Sequence, residues 1–309
     1  MTSLTVNPGI ENGALQIFQD SFADLAQQTK SLIGSSAAVV HLTSRGKTVN
    51  HARMGRTELT EVNTRNPDKQ FDDYALDNRR LTKRRFTKTF TIDAKDDINE
   101  LLADPTSSLL RQLDYAKERV IDRILAASAV GSVLTGPSDA AATAVSAAND
   151  GVLTVNATSG LTYEKVTEIT ENFINKDVSY AAMRGSLMCV AGGENSDLMA
   201  EDEFINSDFI SGKPVEDGVA TSAGMYRVAL FAGSKNGSVQ VINPILPEGS
   251  TTRKCLVLAP GSLAMAMELA RLDVERSNRK VNSWDLTIDF WINSMRTEGA
   301  LVQIVETTM

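Results

Sequence analysis

Apolar side chains recur at spacings of three and four along the segment LADPTSSLLRQLDYAKERVIDRILAASAVG. They are Leu109, Leu113, Ala116, Val120 and Ile124, and Ser128 continues the series. Asp104 before Pro105 is a typical helix start, and Gly131 is a typical stop. The pattern predicts a helix of about 24 residues, or ~36 Å at 1.5 Å per residue.

A second helical pattern covers residues 11–33. Its apolar positions are Leu15, Phe18, Phe22, Leu25 and Ala26. This spacing predicts an amphipathic helix, which could pack on the body of the protein or on a neighbour.

Strict alternation replaces the helical spacing from Phe86 onward. Phe86, Phe90 and Ile92 share one face of a predicted strand, and Thr87, Thr89 and Thr91 occupy the other. A strand near the C-terminus has the same period, with Leu286, Ile288, Phe290 and Ile292 on one face. Both strands are expected to enter the core.

The second half of the chain alternates helical and strand patterns. The helices are predicted at 161–177, with Thr162 as its cap, and within 194–209. The strands are predicted at 184–193, 226–233, 238–247 and the start of 253–269, with a last one ending in LVQIVE. Residues 136–160 are small and polar and indicate a loop or an irregular strand pair. This order predicts an α+β fold with a mixed sheet.

Residues 41–85 are poor in core-forming side chains. Only 7 of these 45 residues are Leu, Ile, Val or Phe, and TRNPDKQFDD at 64–73 has the composition of a turn. The segment therefore predicts a long two-stranded arm. Because an isolated two-stranded ribbon is marginally stable in water, we expect the arm to lie on another surface, to be disordered, or to be both at different times.

Charge separates this arm from the rest of the chain. Residues 41–90 carry 12 Lys and Arg against 6 Asp and Glu, although the whole chain has a net charge of −8. The run RRLTKRRFTKTF at 79–90 holds much of the excess. A basic arm on an acidic body can direct contacts between copies of one chain. A solvated loop without a partner is the alternative.

The sequence contains little that indicates catalysis, a metal or a cofactor. His41 and His51 both lie in the arm, and Cys189 and Cys255 lack metal-ligand spacing. The apolar surroundings of the two cysteines favour buried thiols on two strands over a disulfide. There is no phosphate-binding loop and no nucleophile elbow, and VAGGEN at 190–195 indicates a strand-to-helix turn. We therefore expect no enzyme, no metal site and no bound cofactor.

Two smaller clusters have structural explanations. Glu201, Asp202 and Glu203 are expected to cap a surface helix rather than bind a metal, and Met265 and Met267 to fill the core. No run of 18 apolar residues predicts a membrane helix, and the N-terminus does not have the pattern of a signal peptide.

The order of these features resembles the major capsid proteins of tailed bacteriophages with the Hong Kong 97-type fold. The resemblance rests on the basic arm, on RRFTKTFTIDAKD, on LLADPTSSLLRQLDYAKERVIDRILAA and on TEGALVQIVE near the C-terminus. It implies an N-terminal arm at 1–38 and an extended loop at 39–92. It also implies a peripheral domain with a long spine helix at 93–150 and 284–309, and an axial domain at 151–283.

The resemblance also implies partners and a location. The chain would assemble with itself as hexamers and pentamers into an icosahedral head in the virion, around double-stranded DNA packaged without sequence specificity. Assembly would take place in the host bacterial cytoplasm, with a portal and a separate scaffolding protein and without a membrane. Lys47 and Lys69 lie in the loop, but no motif indicates a covalent crosslink there.

The basic residues of the loop are the candidate contacts between subunits. They are Arg53, Arg56, Arg79, Arg80, Lys83, Arg84, Arg85 and Lys88. Two alternatives remain open: an encapsulin-like bacterial compartment shell of the same fold, and a nucleic-acid-binding protein that uses residues 79–88. The second would favour aromatic residues among the basic ones, but between 41 and 85 only Phe71 and Tyr74 are aromatic.

Overall fold

The computed structural model describes most of the chain. The described residues are 27–43, 46–55, 57–65, 76–93, 105–136, 142–157, 160–201, 215–216, 219–232, 244–249, 251–279 and 283–308. Contacts divide the chain into two compact units: the first holds residues 1–31, 84–121 and 268–292, and the second holds 32–83, 122–267 and 293–309. Within the described part, no helix is both long and apolar enough to cross a membrane.

Four helices and sixteen strands are described. The helices are α1 (Pro105–Val130), α2 (Tyr163–Asn175), α3 (Tyr180–Arg184) and α4 (Gly192–Met199), and a 3-10 turn covers Gly299–Leu301. The strands of the first half are β1 (Val39–His41), β2 (Thr48–Met54), β3 (Leu76–Thr82), β4 (Arg84–Asp93), β5 (Val133–Thr135), β6 (Thr143–Val145) and β7 (Leu153–Ala157). Those of the second half are β8 (Leu187–Ala191), β9 (Val215–Glu216), β10 (Val219–Ala220), β11 (Ser222–Ala223), β12 (Tyr226–Phe231), β13 (Thr252–Leu258), β14 (Leu263–Arg276), β15 (Ser283–Arg296) and β16 (Val302–Thr308).

The first unit contains an antiparallel pair of long strands. β4 pairs with β15 from Arg84 opposite Ile292 to Asp93 opposite Ser283. The rings of Phe86 and Phe290 stack with centroids 5.7 Å apart. The four alternating apolar residues predicted on β15 are all buried, and the three threonines of β4 are exposed. The predicted alternation is confirmed for these residues.

The second unit contains a six-stranded mixed sheet in the order β11-β12-β8-β13-β16-β7. β12 runs parallel to β8 and β16 parallel to β7, while β13 is antiparallel to both of its neighbours. Phe173 of α2 packs with Tyr226 of β12 in the main core, with ring centroids 6.3 Å apart. The predicted α+β fold with a mixed sheet is therefore confirmed. The division into an arm, a loop and two domains stays a prediction.

The predicted arm contains its two strands, but its base is not an isolated ribbon. β2 and β3 pair antiparallel, and β3 continues through β5 to β6 in a four-stranded sheet. Val49 and Leu81 are buried in one core cluster with Val133, Ala264, Ala266 and Met295. The base of the arm therefore belongs to a core that it shares with β5, β14 and β15 in the second unit, and this four-stranded sheet was not predicted. Of the predicted turn at 64–73, residues 66–73 lie outside the described residues.

The long helix is confirmed at Pro105–Val130. The predicted helix at 11–33 is not present where it can be compared, at 27–33, because the backbone N–H groups of Leu32 and Ile33 donate to the Asp122 carboxylate, at 2.9 and 3.0 Å. Residues 11–26 lie outside the described part, as does most of the strand predicted at 238–247.

Met265 is buried as predicted, but Met267 is 43% exposed, because the buried run of β14 ends at Ala266.

Both cysteines are buried thiols on neighbouring strands, as predicted. Cys189 lies on β8 and Cys255 on β13, both with 0% exposure. Burial raises the pKa of both thiols, which disfavours the reactive thiolate.

We expect neither thiol to react with a water-soluble thiol reagent at pH 8 in the folded chain. Both should react in denaturant. Mass spectrometry of the labelled chain measures this directly, and rapid labelling of the folded chain at either residue would contradict the described burial.

Candidate assembly surfaces

The base of the loop is held by a buried arginine. Arg79 lies on β3 with 0% exposure, and its Nη1 donates to Asp150 Oδ2 and to the Arg296 carbonyl, both at 2.9 Å. Its Nη2 donates to the other oxygen of Asp150. We call Arg79, Asp150 and Arg296 the loop anchor, because they connect β3 to the end of β15 and to the turn before β7.

Arg296 extends the loop anchor to the end of helix α1. Its Nε donates to Asp150 Oδ2 at 2.7 Å, and its Nη1 donates to the carbonyls of Ser128, Ala129 and Gly131 at 3.3, 2.8 and 2.9 Å. The carbonyls at a helix C-terminus carry partial negative charge. These carbonyls therefore compensate part of the positive charge of Arg296, because the single carboxylate of Asp150 cannot neutralise two buried arginines.

The electrostatics of Asp150 follow from this arrangement. Burial raises the pKa of its carboxyl, but hydrogen bonds from Arg79 and Arg296 and their charges more than offset this, so the pKa lies below its ordinary value. The carboxylate is ionised at neutral pH and belongs to the folded structure of the loop base.

Two members of the predicted contact set are not available to a neighbour. Arg79 is fully buried by its own chain, and Lys83 is 2% exposed. Their side chains are enclosed within the second unit, and this burial does not favour a contact of either with a neighbouring subunit. The run 79–88 therefore consists of a buried part and an exposed part.

Two further members are engaged with carboxylates of their own chain. Arg85 holds Asp289 across β4 and β15, with Nη2 2.6 Å from Oδ2, while remaining 58% exposed. Arg53 holds Asp77 across β2 and β3 at 2.9 Å. Both can still face a neighbour, because their side chains remain accessible.

The other members differ in exposure. Arg84 and Lys88 are exposed on β4, and Lys88 Nζ lies 5.4 Å from the centroid of the Phe90 ring. Arg80 is half-buried, and Arg56 lies outside the described residues. The role of these residues in contacts between subunits stays a prediction.

An exposed segment follows strand β2 of the loop. Residues 57–65 are all exposed and form neither helix nor strand, and Leu59 and Val62 are 101% and 55% exposed. Met54 and Leu76, directly opposite each other on β2 and β3, are 69% and 58% exposed. Exposed apolar residues that lie together typically mark interaction surfaces. The charge pattern of the sequence did not predict these exposed apolar residues.

A cleft of about 560 Å³ opens beside the base of the loop in the second unit. His51, Met54 and Leu76 line it on the loop side, and Gly261, Thr297 and Leu301 line it opposite. No group of three His, Cys, Asp or Glu residues that could hold a metal occurs in the described part of the chain. The described lining of the cleft therefore does not indicate a metal site.

The acidic cluster predicted to cap a helix does so in part. Glu201 Oε2 accepts the backbone N–H of Tyr163 at 2.6 Å, at the start of α2. Thr162, the predicted cap, occupies the cap position but makes no capping hydrogen bond with its side chain. Asp202 and Glu203 lie outside the described residues.

A second buried ion pair holds the six-stranded sheet to helix α4. Arg253 Nη1 lies 3.1 and 3.0 Å from the two carboxylate oxygens of Glu194, and its Nε donates to Glu248 at 2.7 Å. Thr307 Oγ1 donates to Glu194 at 2.8 Å. Both Arg253 and Glu194 are only 3% exposed, so this network is structural.

A family model for phage capsid proteins matches residues 10–308. No curated protein sequence matches the chain.

Solved structures of phage particles share the fold over nearly the whole chain. The mature capsid of bacteriophage PhiM1 matches with 13% identity and a TM-score of 0.64, covering 93% of this chain and 90% of that one. The head of Helicobacter pylori bacteriophage KHP40 matches with 11% identity and a TM-score of 0.65, covering 94% of each. Mycobacterium phage Che8 matches with 11% identity and a TM-score of 0.64, covering 93% and 95%. Because the family model spans nearly all of its length, the chain belongs to the phage capsid protein family.

Proposed function

We propose that the chain is the major structural protein of a phage head and that it assembles as hexamers and pentamers into a closed icosahedral shell around double-stranded DNA. The observation that carries this proposal is the loop. In a chain of the capsid family, a buried anchor fixes the loop base while residues 57–65 expose apolar side chains. Closed assembly follows when one such asymmetric contact is repeated around a symmetry axis.

Two alternatives are less well supported. An encapsulin-like compartment would contain protein cargo, and the family match favours a phage capsid instead. A nucleic-acid groove along 79–88 would need accessible basic residues, but Arg79 and Lys83 are buried. A portal, a separate scaffolding protein and assembly in the host cytoplasm belong to the proposal and rest on the family resemblance.

Electron microscopy of the purified full-length chain tests the shell directly. We expect closed particles, or tubes and capsomers of five and six subunits, and we expect nuclease-protected double-stranded DNA in particles made in infected cells. A chain that remains monomeric with and without a scaffolding protein would contradict the proposal. Particles that contain a specific protein cargo and no DNA would support the compartment instead.

Reversing the exposed charges of β4 should impair assembly. We expect R84E/K88E to fold normally but to form about ten-fold fewer particles, because each exposed ion pair contributes about 0.2–1 kcal/mol and a shell repeats it many times. Arg85 is left unchanged, since a glutamate there would repel Asp289 in the same chain. Particle yield by sedimentation measures the effect.

The matched control for this experiment keeps the charge. R84K/K88R should assemble like the wild-type chain. If R84E/K88E assembles normally while folding is intact by circular dichroism, the exposed basic residues of β4 do not contact neighbouring subunits.

A further inference from the structure

Two large apolar side chains are exposed at the corner between helices α2 and α3. Tyr180 and Ile174 are 64% and 60% exposed, more than any other large apolar side chain described outside residues 39–92. Lys176 lies between them in sequence, is exposed, and makes no ion pair with another described residue. We call Ile174, Lys176 and Tyr180 the helix corner. An exposed apolar patch with polar groups at its rim typically marks a contact surface.

The backbone of the helix corner is fixed at both ends. Asp177 has a φ of 59°, and the N–H of Val178 donates to the Phe173 carbonyl at 3.0 Å, which is a common way to end a helix. Val178 also packs on the core cluster that contains Phe173. Ser179 Oγ accepts the N–H of Ala182 at 3.4 Å and caps α3. Because this backbone is already ordered, binding a partner here has a smaller entropy cost.

The cleft at the loop base has a complementary surface. Its exposed large apolar residues are Val40, Met54 and Leu76. Two of its charged residues, Arg53 and Asp77, pair with each other. A third, Glu298, is exposed and makes no ion pair with another described residue. The cleft therefore favours an apolar side chain that is accompanied by a cation.

The helix corner has this composition but does not fill the cleft of its own chain. None of its three residues lines that cleft, although both surfaces belong to the second unit. A second copy can supply its helix corner and leave its own cleft open for a third. Such a contact can be repeated around a closed ring. The opposite charges of Lys176 and Glu298 favour this pairing of surfaces.

We propose that the helix corner of one copy binds in the loop-base cleft of a neighbouring copy, with the apolar side chains of the corner against Met54 and Leu76 and with Lys176 beside Glu298. This inference rests on the proposed function, because it names two surfaces of the second unit that meet between subunits of the shell.

Engineered cysteines test whether the two surfaces meet. Y180C in one copy should form a disulfide with M54C in another when assembled shells or capsomers are oxidised. The two variants carry different affinity tags and are assembled together, so that only a bond between chains gives a doubly tagged dimer. Cys189 and Cys255 do not compete, because both are fully buried.

The matched control places the second cysteine outside the cleft. Leu134 is also an exposed apolar residue of the second unit, but it does not line the cleft. Y180C with L134C should give no dimer. Equal yields from the two pairs, or no dimer from Y180C with M54C in intact shells, would overturn the contact. A disulfide from M54C to a protein other than a second copy would also overturn it, because the cleft would then belong to that partner.

A charge exchange gives an independent measure. K176E alone and E298K alone should each lower particle yield about two- to five-fold, as expected for an exposed ion pair. K176E/E298K should recover most of the yield, because the pair forms again with its charges exchanged. If the double variant loses as much as the two single variants together, Lys176 and Glu298 do not pair and the proposed contact is wrong.

Failure of this inference can be distinguished from failure of the proposed function. Shells that form without the Y180C–M54C bond leave the proposed function intact and remove only the inference. A chain that forms neither shells nor capsomers under any condition removes both.

Discussion

Replacing Asp150 with asparagine should lower the free energy of unfolding of the isolated subunit by about 3–5 kcal/mol at pH 7, the usual cost of breaking a buried ion pair. The carboxylate accepts hydrogen bonds from Arg79 and Arg296, both with 0% exposure. Without its charge, two guanidinium groups stay buried and undercompensated. Urea unfolding of the subunit measures the loss.

A matched control lies in the same loop. Asp77 also holds an arginine, Arg53, but this pair is more than one third exposed on each side. D77N should therefore cost less than about 1 kcal/mol. If D150N and D77N prove equally stable, the loop anchor does not stabilise the fold.

The difference in stability between wild type and D150N should depend on pH. Because the pKa of Asp150 is lowered in the folded chain, its contribution is fully present above its unfolded pKa of about 3.9. It is lost as the pH falls through the folded value. The stability gap between wild type and D150N should be constant near neutral pH and begin to narrow below about pH 4. It should close only below the folded pKa of Asp150, where both chains carry a neutral side chain.

Local periodicity accounts for what the sequence predicted well. The spacing of Leu113 and Ile124 and the stop at Gly131 are properties of neighbouring residues, and the helix Pro105–Val130 follows from them. The alternation from Leu286 to Ile292 likewise needs no distant partner. Such patterns predict helices and strands well because they require only that one face of the element is buried.

Buried charge was the feature that the sequence analysis missed. Arg79 stands two residues before the buried Leu81, and Arg296 continues the buried face of β15 beyond Ile292. These positions gave a usable signal, since the strand period places both arginines inside. Their charge suggested exposure instead, because their partner Asp150 lies 71 and 146 residues away in sequence. Only the folded chain brings the three together.

The base of the loop was missed for a related reason. Val49 and Leu81 are too few to predict a core by themselves. Their packing partners Val133, Ala264 and Met295 come from distant parts of the chain. A segment poor in apolar residues can therefore be well packed when the remaining core is supplied by other elements.

Replacing Arg253 with methionine should be comparably severe. Methionine keeps much of the length and apolar contact of the side chain but leaves the Glu194 carboxylate, 3% exposed, without its cation. We expect the free energy of unfolding at pH 7 to fall by about 3–5 kcal/mol. Urea unfolding of the isolated subunit measures it, and a loss below 1 kcal/mol would show that the ion pair is dispensable.

A double variant separates lost charge pairing from lost packing. R253M/E194Q removes the unpaired carboxylate while keeping a polar side chain that can still accept the hydrogen bond from Thr307. It should recover a large part of the stability that R253M loses at pH 7. If the double variant is as unstable as R253M at pH 7, the stability lost in R253M comes from the packing of the arginine side chain. The unpaired charge of Glu194 in helix α4 would then not be the cause.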